Sequence, residues 1–95
     1  MTYMRVDYFL KISRLVKRRP LAKEMCDKQL VFVNERAAKA GRELRVGDAL
    51  LLKFRHRHLT VRVESLPERA TSKTDAATLY TVLEDHQVHE DAQLW

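Results

Sequence analysis

Residues 5–23, RVDYFLKISRLVKRRPLAK, predict two short amphipathic helices that meet at a cluster of cations. We expect the first helix to run from about Asp7 to Lys17, and Pro20 suits the first turn of the second, where its missing N–H is not needed. One side of the first helix collects Val6, Phe9, Leu10, Ser13 and Val16. The apolar face of the second helix collects Leu21, Ala22, Met25 and Cys26. Both helices therefore have a stripe to bury in a core.

The positive charge of the chain is concentrated in this segment. Residues 1–23 carry seven Lys and Arg against one Asp, a local charge of +6, whereas the whole chain carries +5. Lys11, Arg14 and Arg18 fall in a narrow sector opposite the apolar stripe, with Asp7 among them. A run of charge is commonly just a solvated face. Here the cations cluster at one helix joint, and most are Arg, which pairs bidentately with phosphate, so we favour a nucleic-acid surface.

Composition limits the class of protein. The chain has 95 residues, 45% of them hydrophobic and 33% charged, which predicts one small domain with a heavily charged surface. A single cysteine can form no internal disulfide, and we expect a reduced, cytoplasmic setting. The N-terminus has charges within its apolar run and is not a secretory signal. No apolar run approaches the roughly 20 residues of a membrane span, so no membrane partner is expected.

The middle of the chain predicts strands. Leu30 to Val33 is a short β-branched run followed by a turn at 34–35, and Ala49 to Phe54 suits a buried strand launched by the turn 46–48. Residues 36–45 are predicted to be irregular and polar, and 55–58 to form a hairpin tip. Leu59, Val61 and Val63 then alternate with polar residues up to Pro67, as in a half-exposed strand.

The C-terminal third predicts one more helix. Ala76, Leu79, Tyr80 and Leu83 recur at helical spacing, and Ser72 can cap a helix over about 73–85. From Glu84 onward the acidic residues face no Lys or Arg, and we expect a mobile acidic tail. The predicted organisation is an α+β domain over 1–66 followed by a C-terminal extension over 67–95.

The sequence offers no set of residues that would form a catalytic site. Cys26 lies on the predicted core face, so a buried thiol is favoured over a nucleophile. His86 and His89 could contribute to a metal site, but two histidines in a frayed tail are more often solvated. His56 and His58 alternate with Arg55 and Arg57, and a polar or phosphate contact is more plausible there than metal ligation. We expect no enzyme activity, no metal and no cofactor.

RNA is favoured over DNA as the partner. Two short helices could form a helix-turn-helix, but the outward face of the second mixes Glu24 and Asp27 with Lys23 and Lys28. Such a face is a poor reader of the major groove. Cations at the helix joint suit the backbone of a structured RNA better.

Three motifs together resemble a known domain. The pattern R-V-D-x-F-L-K-x-S-R-L-V-K-R-R-x-L-A-K-E from Arg5, then V-x-V-N-E, then V-G-D-x-L, is similar to the small RNA-binding domain named after ribosomal protein S-four. The resemblance runs from Arg5 to about Phe54. It implies two short helices packed on a small, mostly antiparallel sheet, with the helical face and an adjoining strand binding structured RNA.

A narrower resemblance is to the RqcP family of bacterial ribosome quality control. It rests on the run 9–24 and on Ala76-Ala77-x-x-Tyr80, an element shared with the fifteen-kilodalton heat-shock protein family. Both families bind large ribosomal subunits that still hold peptidyl-tRNA. The RqcP type also supports C-terminal alanine tailing of the stalled chain, together with a nascent-chain elongation factor. The resemblance implies that rRNA and tRNA backbone is faced by Arg5, Arg14, Lys17, Arg18 and Arg19.

Taken together, the charge pattern and the resemblance predict one set of RNA contacts. The set is Arg5, Lys11, Arg14, Lys17, Arg18, Arg19, Lys23, Asn34, Lys39, Lys53 and Arg55. The chain departs from the S-four pattern at Gln29 and Glu35, where glycine is usual, and at Leu30, where a cation is usual. Two alternatives stay open: an rRNA-binding assembly or heat-shock recycling factor, and an adaptor that docks a protein through helix 73–85. We expect a monomer.

Overall fold

A computed structural model describes residues 3–67 and 76–88 of the chain. The helices are α1 (Val6–Ile12) and α2 (Arg19–Asp27). The strands are β1 (Met4–Arg5), β2 (Val31–Val33), β3 (Arg36–Ala37), β4 (Glu43–Leu44), β5 (Ala49–Lys53), β6 (Arg57–Val63) and β7 (Tyr80–Gln87). A 3-10 turn, Ala77–Leu79, precedes β7. The architecture is the predicted α+β arrangement of two short helices and an antiparallel sheet.

The sheet has five strands in the order β3-β2-β5-β6-β7, and every described pair is antiparallel. Alternate side chains of its strands point to opposite faces, so Leu50 and Leu52 are fully buried while their neighbours in β5 are half-buried. One core joins the inner face to both helices through Phe9, Leu10, Met25, Leu50 and Val61. The apolar stripes predicted for the helices are therefore what covers the sheet.

The first helix ends at Ile12, and the prediction that it reaches Lys17 was wrong. The Ser13 hydroxyl donates a hydrogen bond to the Leu10 carbonyl at 3.3 Å, and Arg14 has a φ of 62°, which no α-helix accommodates. The chain then turns back, and the Val16 amide donates to the Leu10 carbonyl at 3.0 Å. Val16 stays buried as predicted, because a turn rather than a helix carries it into the core.

The second helix has Pro20 in its first turn, as predicted. Ala22, Met25 and Cys26 are buried, but Leu21 is 40% exposed. The assignment of Leu21 to the core face was wrong, because α2 contacts the core only along the i, i+3, i+4 stripe that starts at Ala22.

Two tight turns use left-handed backbone without glycine. Gln29 has a φ of 59° and lies at the end of α2. Its N–H donates a hydrogen bond to the Cys26 carbonyl, and the Leu30 N–H donates one to the Met25 carbonyl. This is the Schellman arrangement. Asn34 and Glu35 have φ values of 49° and 72° and join β2 to β3 as a two-residue hairpin. Gln29 and Glu35 therefore adopt the left-handed backbone that glycine usually supplies at these positions.

Residues 36–45 are more regular than predicted. They include β3 and β4, and β4 pairs with β1 in the register Met4 to Leu44 and Arg5 to Glu43. The N–H groups of Val6 and Asp7 donate to the carbonyls of Arg42 and Ala40. Strands of two residues are too short to leave a periodic signal, so this prediction was wrong.

The predicted helix over 73–85 was also wrong wherever the structure describes it. Beyond the 3-10 turn the chain forms β7, which pairs with β6 along its whole length with a register shift at Thr60 and Val61. Leu79 is buried, as a helix would also have required. β-Branched Thr81 and Val82 suit a strand, and the edge of β6 supplies backbone partners that outweigh a helical pattern of apolar residues. Residues 73–75 of that prediction, and 89–95 of the predicted tail, lie outside the described residues.

This C-terminal strand also alters two related expectations. Glu84 to Gln87, predicted to begin a mobile tail, belong to β7. The adaptor alternative needed a helix, and its Leu79 lies in the core while Leu83 is 46% exposed. The hairpin tip predicted over 55–58 is shorter at its end, since Arg57 and His58 already belong to β6.

Replacing Gln29 with glycine should stabilise the protein. A residue other than glycine in the left-handed region loses about 1–2 kcal/mol of stability. Glycine avoids this cost, but its greater flexibility in the unfolded chain offsets part of the gain. We expect Gln29→Gly to raise the free energy of unfolding by about 1 kcal/mol, measured by urea denaturation with far-ultraviolet circular dichroism. Lys28→Gly, one residue earlier at a φ of −88°, is the control and should be destabilising. An unchanged or lower midpoint for Gln29→Gly would contradict this account.

Candidate nucleic-acid interface

The helix joint is built around one buried carboxylate. Asp7 is 1% exposed and accepts hydrogen bonds from two guanidinium groups. Arg5 donates through Nε at 3.1 Å and Nη2 at 3.2 Å, and Arg19 donates through Nε at 3.2 Å and Nη2 at 3.5 Å. The prediction that Asp7 lies among the outward cations was wrong, because two fork-shaped partners satisfy its oxygens inside the protein. We call these three residues the arginine clamp.

The clamp keeps its carboxylate charged. Burial by itself raises the pKa of Asp7, but hydrogen bonds from Arg5 and Arg19 and the charges of both groups outweigh burial, so the pKa is lowered overall. The same hydrogen bond and charge raise the pKa of Arg5. The clamp therefore carries two positive charges and one negative charge.

Both guanidinium groups are held on a second side as well. The Arg19 Cζ lies 5.4 Å from the centre of the Tyr8 ring. A Cβ atom placed on Gly41 would lie 3.8 Å from the Cζ and Nη2 of Arg5, so that guanidinium lies close to Gly41. Each arginine uses its Nε and Nη2 atoms on Asp7. Within the described residues the Nη1 atoms form no hydrogen bond to Asp7, and they are available to an outside acceptor.

Several exposed cations lie close in sequence to the residues of the clamp. Within 3–67 and 76–88, none of the following takes part in an ion pair: Lys11, Arg14, Lys17, Arg18 and Lys23. The turn after α1 exposes three of these side chains while Val16 enters the core. The fold thus leaves a row of unpaired charges beside a pair of oriented arginines.

The segment before β4 adds a cation that the sequence analysis missed. The Arg42 carbonyl accepts the N–H of Val6, which brings Arg42 next to the start of α1, and Lys39 lies in the same segment. Arg42 is exposed, and its Nε donates to the Glu43 carbonyl at 3.4 Å. Only the pairing of β1 with β4 reveals this proximity, and two-residue strands leave no signal in the sequence.

Three predicted contacts lie apart from the clamp. Lys53 is on β5, with its Nζ 4.7 Å from the centre of the Phe32 ring, and Arg55 is in the β5–β6 turn. The Asn34 amide donates to the Asp48 carboxylate at 3.1 Å and accepts the Ala49 N–H at 3.0 Å. These bonds give Asn34 a structural role in joining two turns, and its contact with RNA stays a prediction.

The Cys26 thiol lies in the core and is not an activated nucleophile. Burial, with the charges of Asp7 and Asp27, raises the pKa of the Cys26 thiol to about 11, so it stays protonated at neutral pH.

Among the described residues, no three His, Cys, Asp or Glu side chains are arranged to hold a metal ion. His89 lies outside those residues. No helix in the described part of the chain is long and apolar enough to cross a membrane.

Comparison with known proteins identifies the family. The model of the S4 domain matches residues 4–50. The RQC P-site tRNA stabilizing factor of Bacillus subtilis is 42% identical over 87 residues, which cover 92% of this chain and 100% of the relative. This chain belongs to that family. The factor of the same name from Listeria innocua is 40% identical over 89 residues, 94% of this chain and 96% of the relative.

The fold comparison agrees with the family. The trimeric structure of Vibrio cholerae Heat Shock Protein 15 superposes with a TM-score of 0.78 at 26% identity, over 84% of this chain and 81% of that one. The S4-type fold and the kinship with the heat-shock protein are thereby confirmed. Membership of the family supports an RNA-binding role in ribosome quality control.

Removing the Asp7 charge should destabilise the protein in a pH-dependent way. Because its pKa is lowered on folding, Asp7 stabilises fully above the unfolded value near 3.8 and loses that effect as the pH falls towards the lower folded value. Asp7→Asn should reduce the free energy of unfolding by about 1–3 kcal/mol at pH 7. Urea denaturation at several pH values should show the gap to wild type narrowing below about pH 4.

The control for this experiment is Asp27→Asn. Asp27 is exposed near the end of α2, so its loss should change stability little at any pH. A constant difference between Asp7→Asn and wild type from pH 7 to pH 3 would show that the charge of Asp7 is not what stabilises the joint.

Proposed function

We propose that this protein binds ribosomal RNA and transfer RNA on large ribosomal subunits obstructed by peptidyl-tRNA, and that it supports C-terminal tailing of the stalled chain without catalysing a reaction. The proposal draws on the relatives, which are named for stabilizing tRNA in the P site. The elongation factor that extends the chain would be its partner on the same subunit. Its own contribution is to hold RNA in place.

The arginine clamp is the observation that carries the proposal. Arg5 and Arg19 come from segments on either side of α1, yet one buried carboxylate orients both. An arginine held in this way loses little side-chain entropy when it binds phosphate. Such a pair suits two neighbouring phosphate oxygens better than mobile lysines would.

The exposed face of α2 argues for RNA backbone rather than a DNA groove. Glu24 and Lys28 form an ion pair at 3.3 Å on that face, and Asp27 is exposed beside them. Carboxylates there would repel phosphates flanking a major groove. The cations instead lie at the joint, where they can follow the shape of a folded RNA.

Neutralising the unpaired cations should weaken binding through counterion release. We expect Arg14→Gln and Arg18→Gln each to reduce affinity for deacylated tRNA several-fold and to lower the slope of log K against log salt by about one. Filter binding or fluorescence anisotropy over roughly 50–300 mM salt measures both the affinity and its salt slope. Arg62→Gln is the control, because Arg62 lies on β6 and is paired with Glu64 at 3.0 Å. Equal slopes for the Arg14 and Arg18 variants and wild type would exclude phosphate contacts at these positions.

Arg19 permits a sharper test because charge and geometry separate there. Arg19→Lys keeps the charge but cannot donate the fork to Asp7, so we expect lower affinity with nearly the same salt slope. Arg19→Ala should lose affinity, salt slope and part of the stability together. If Arg19→Lys binds tRNA like wild type, charge alone is sufficient and the clamp geometry has no role.

A second candidate is an rRNA-binding assembly or heat-shock recycling factor, which the similarity to Heat Shock Protein 15 favours. Sedimentation of tagged protein with ribosomal fractions, followed by sequencing of the associated tRNA, distinguishes an assembly role from binding to obstructed subunits. Large subunits carrying peptidyl-tRNA, lost with Arg19→Glu, support a role on obstructed subunits, in quality control or in recycling. Precursor particles without tRNA support assembly.

A further inference from the structure

The face of the sheet that points away from the helices carries a groove. Side chains that alternate with the core residues of β5 and β6, among them Ala49, Leu51 and Thr60, are only half-buried there. They form the floor of a shallow cavity of about 460 Å³. A volume of this size is enough for one or two side chains of a partner. We call it the sheet groove.

Two acidic residues line the sheet groove, while Lys53 and Arg62 of the same face are not among the residues that line it. Glu35 comes from the β2–β3 hairpin and Glu84 from β7, so the β7 strand completes a site that begins at the hairpin. Glu84 Oε2 lies 2.7 Å from His86 Nε2. Glu35 forms no ion pair within the described residues.

This arrangement selects against the ligand of the helix joint. Two carboxylates beside one groove repel phosphate and attract an ammonium or guanidinium group. The apolar floor at Ala49 and Leu51 can pack the aliphatic stem that lysine and arginine carry behind their charge. The groove therefore matches a basic side chain, stem and head together.

We propose that the sheet groove binds an arginine- or lysine-bearing segment of a basic protein. Charge complementarity is the argument for this occupant, together with an apolar floor that a small inorganic cation would not use. Proteins that share an RNA particle with this chain carry such segments because they too must neutralise phosphate. The groove and the clamp lie on different sides of the domain, so one molecule can hold RNA and protein together. The binding of the segment itself does not depend on which RNA is bound.

The test is an NMR titration of the full-length, ¹⁵N-labelled protein with the acetylated and amidated peptide Leu-Arg-Leu-Arg-Leu. The expected result is a saturable shift of the amide signals of Leu51, Thr60 and Glu84, with little change at Arg14 and Lys17. The protein has a net charge of +5, so general electrostatics oppose binding of this peptide. A peptide with Glu in place of Arg is the ligand control, and it separates attraction by the acidic residues from apolar contacts of the leucines.

Matched variants then identify the carboxylates. Glu35→Gln and Glu84→Gln should each weaken peptide binding up to about fivefold, the effect of an ion pair of about 1 kcal/mol. Glu24→Gln, on α2, should leave it unchanged. Equal affinity of Glu35→Gln and wild type, equal binding of the acidic peptide, or shifts centred on the helices would each overturn the proposal.

Two further measurements separate this site from others. Glu35→Gln should leave tRNA affinity and its salt slope unchanged, so failure of the sheet groove and failure of the RNA proposal give different results. Sedimentation equilibrium tests whether a second copy of the chain is the occupant. Self-association that Glu35→Gln abolishes would replace the basic protein segment with a copy of this chain and overturn the assignment.

Discussion

The buried carboxylate of Asp7 is the constraint on which the basic end of this domain depends. A charge removed from water at that depth is tolerated only because two guanidinium groups surround it. In satisfying Asp7, Arg5 and Arg19 fix the start of α1 against the start of α2. The same bonds orient both arginines towards solvent, so one interaction serves stability and recognition together.

Backbone geometry shows a second constraint, imposed at positions where glycine would be favoured. Gln29 and Glu35 adopt left-handed φ values because the end of α2 and the β2–β3 hairpin each require them. Glu35 lines the sheet groove, and its side chain supplies a charge there that glycine could not.

The charges of the domain are unevenly distributed. Unpaired cations cluster at the helices, whereas the sheet groove is lined by Glu35 and Glu84, with Lys53 and Arg62 on the same face of the sheet. A net charge of +5 hides this division, because it averages over surfaces that attract opposite partners. The long β7 strand matters here, since it extends the sheet and brings Glu84 to the groove.

The sequence by itself determined the α+β class, the pairing of two short helices, the β5 and β6 strands and the cluster of cations between α1 and α2. Those features follow from local periodicity, from Pro20 and from charge density, which neighbouring residues record. Tertiary structure alone decided that Asp7 is buried, that Arg42 lies beside α1 and that Tyr80–Gln87 form a strand. Each of these depends on a partner distant in sequence: Arg19 for Asp7, β1 for β4, and the edge of β6 for β7. No local pattern encodes such pairings, because their energy exists only when the two segments meet.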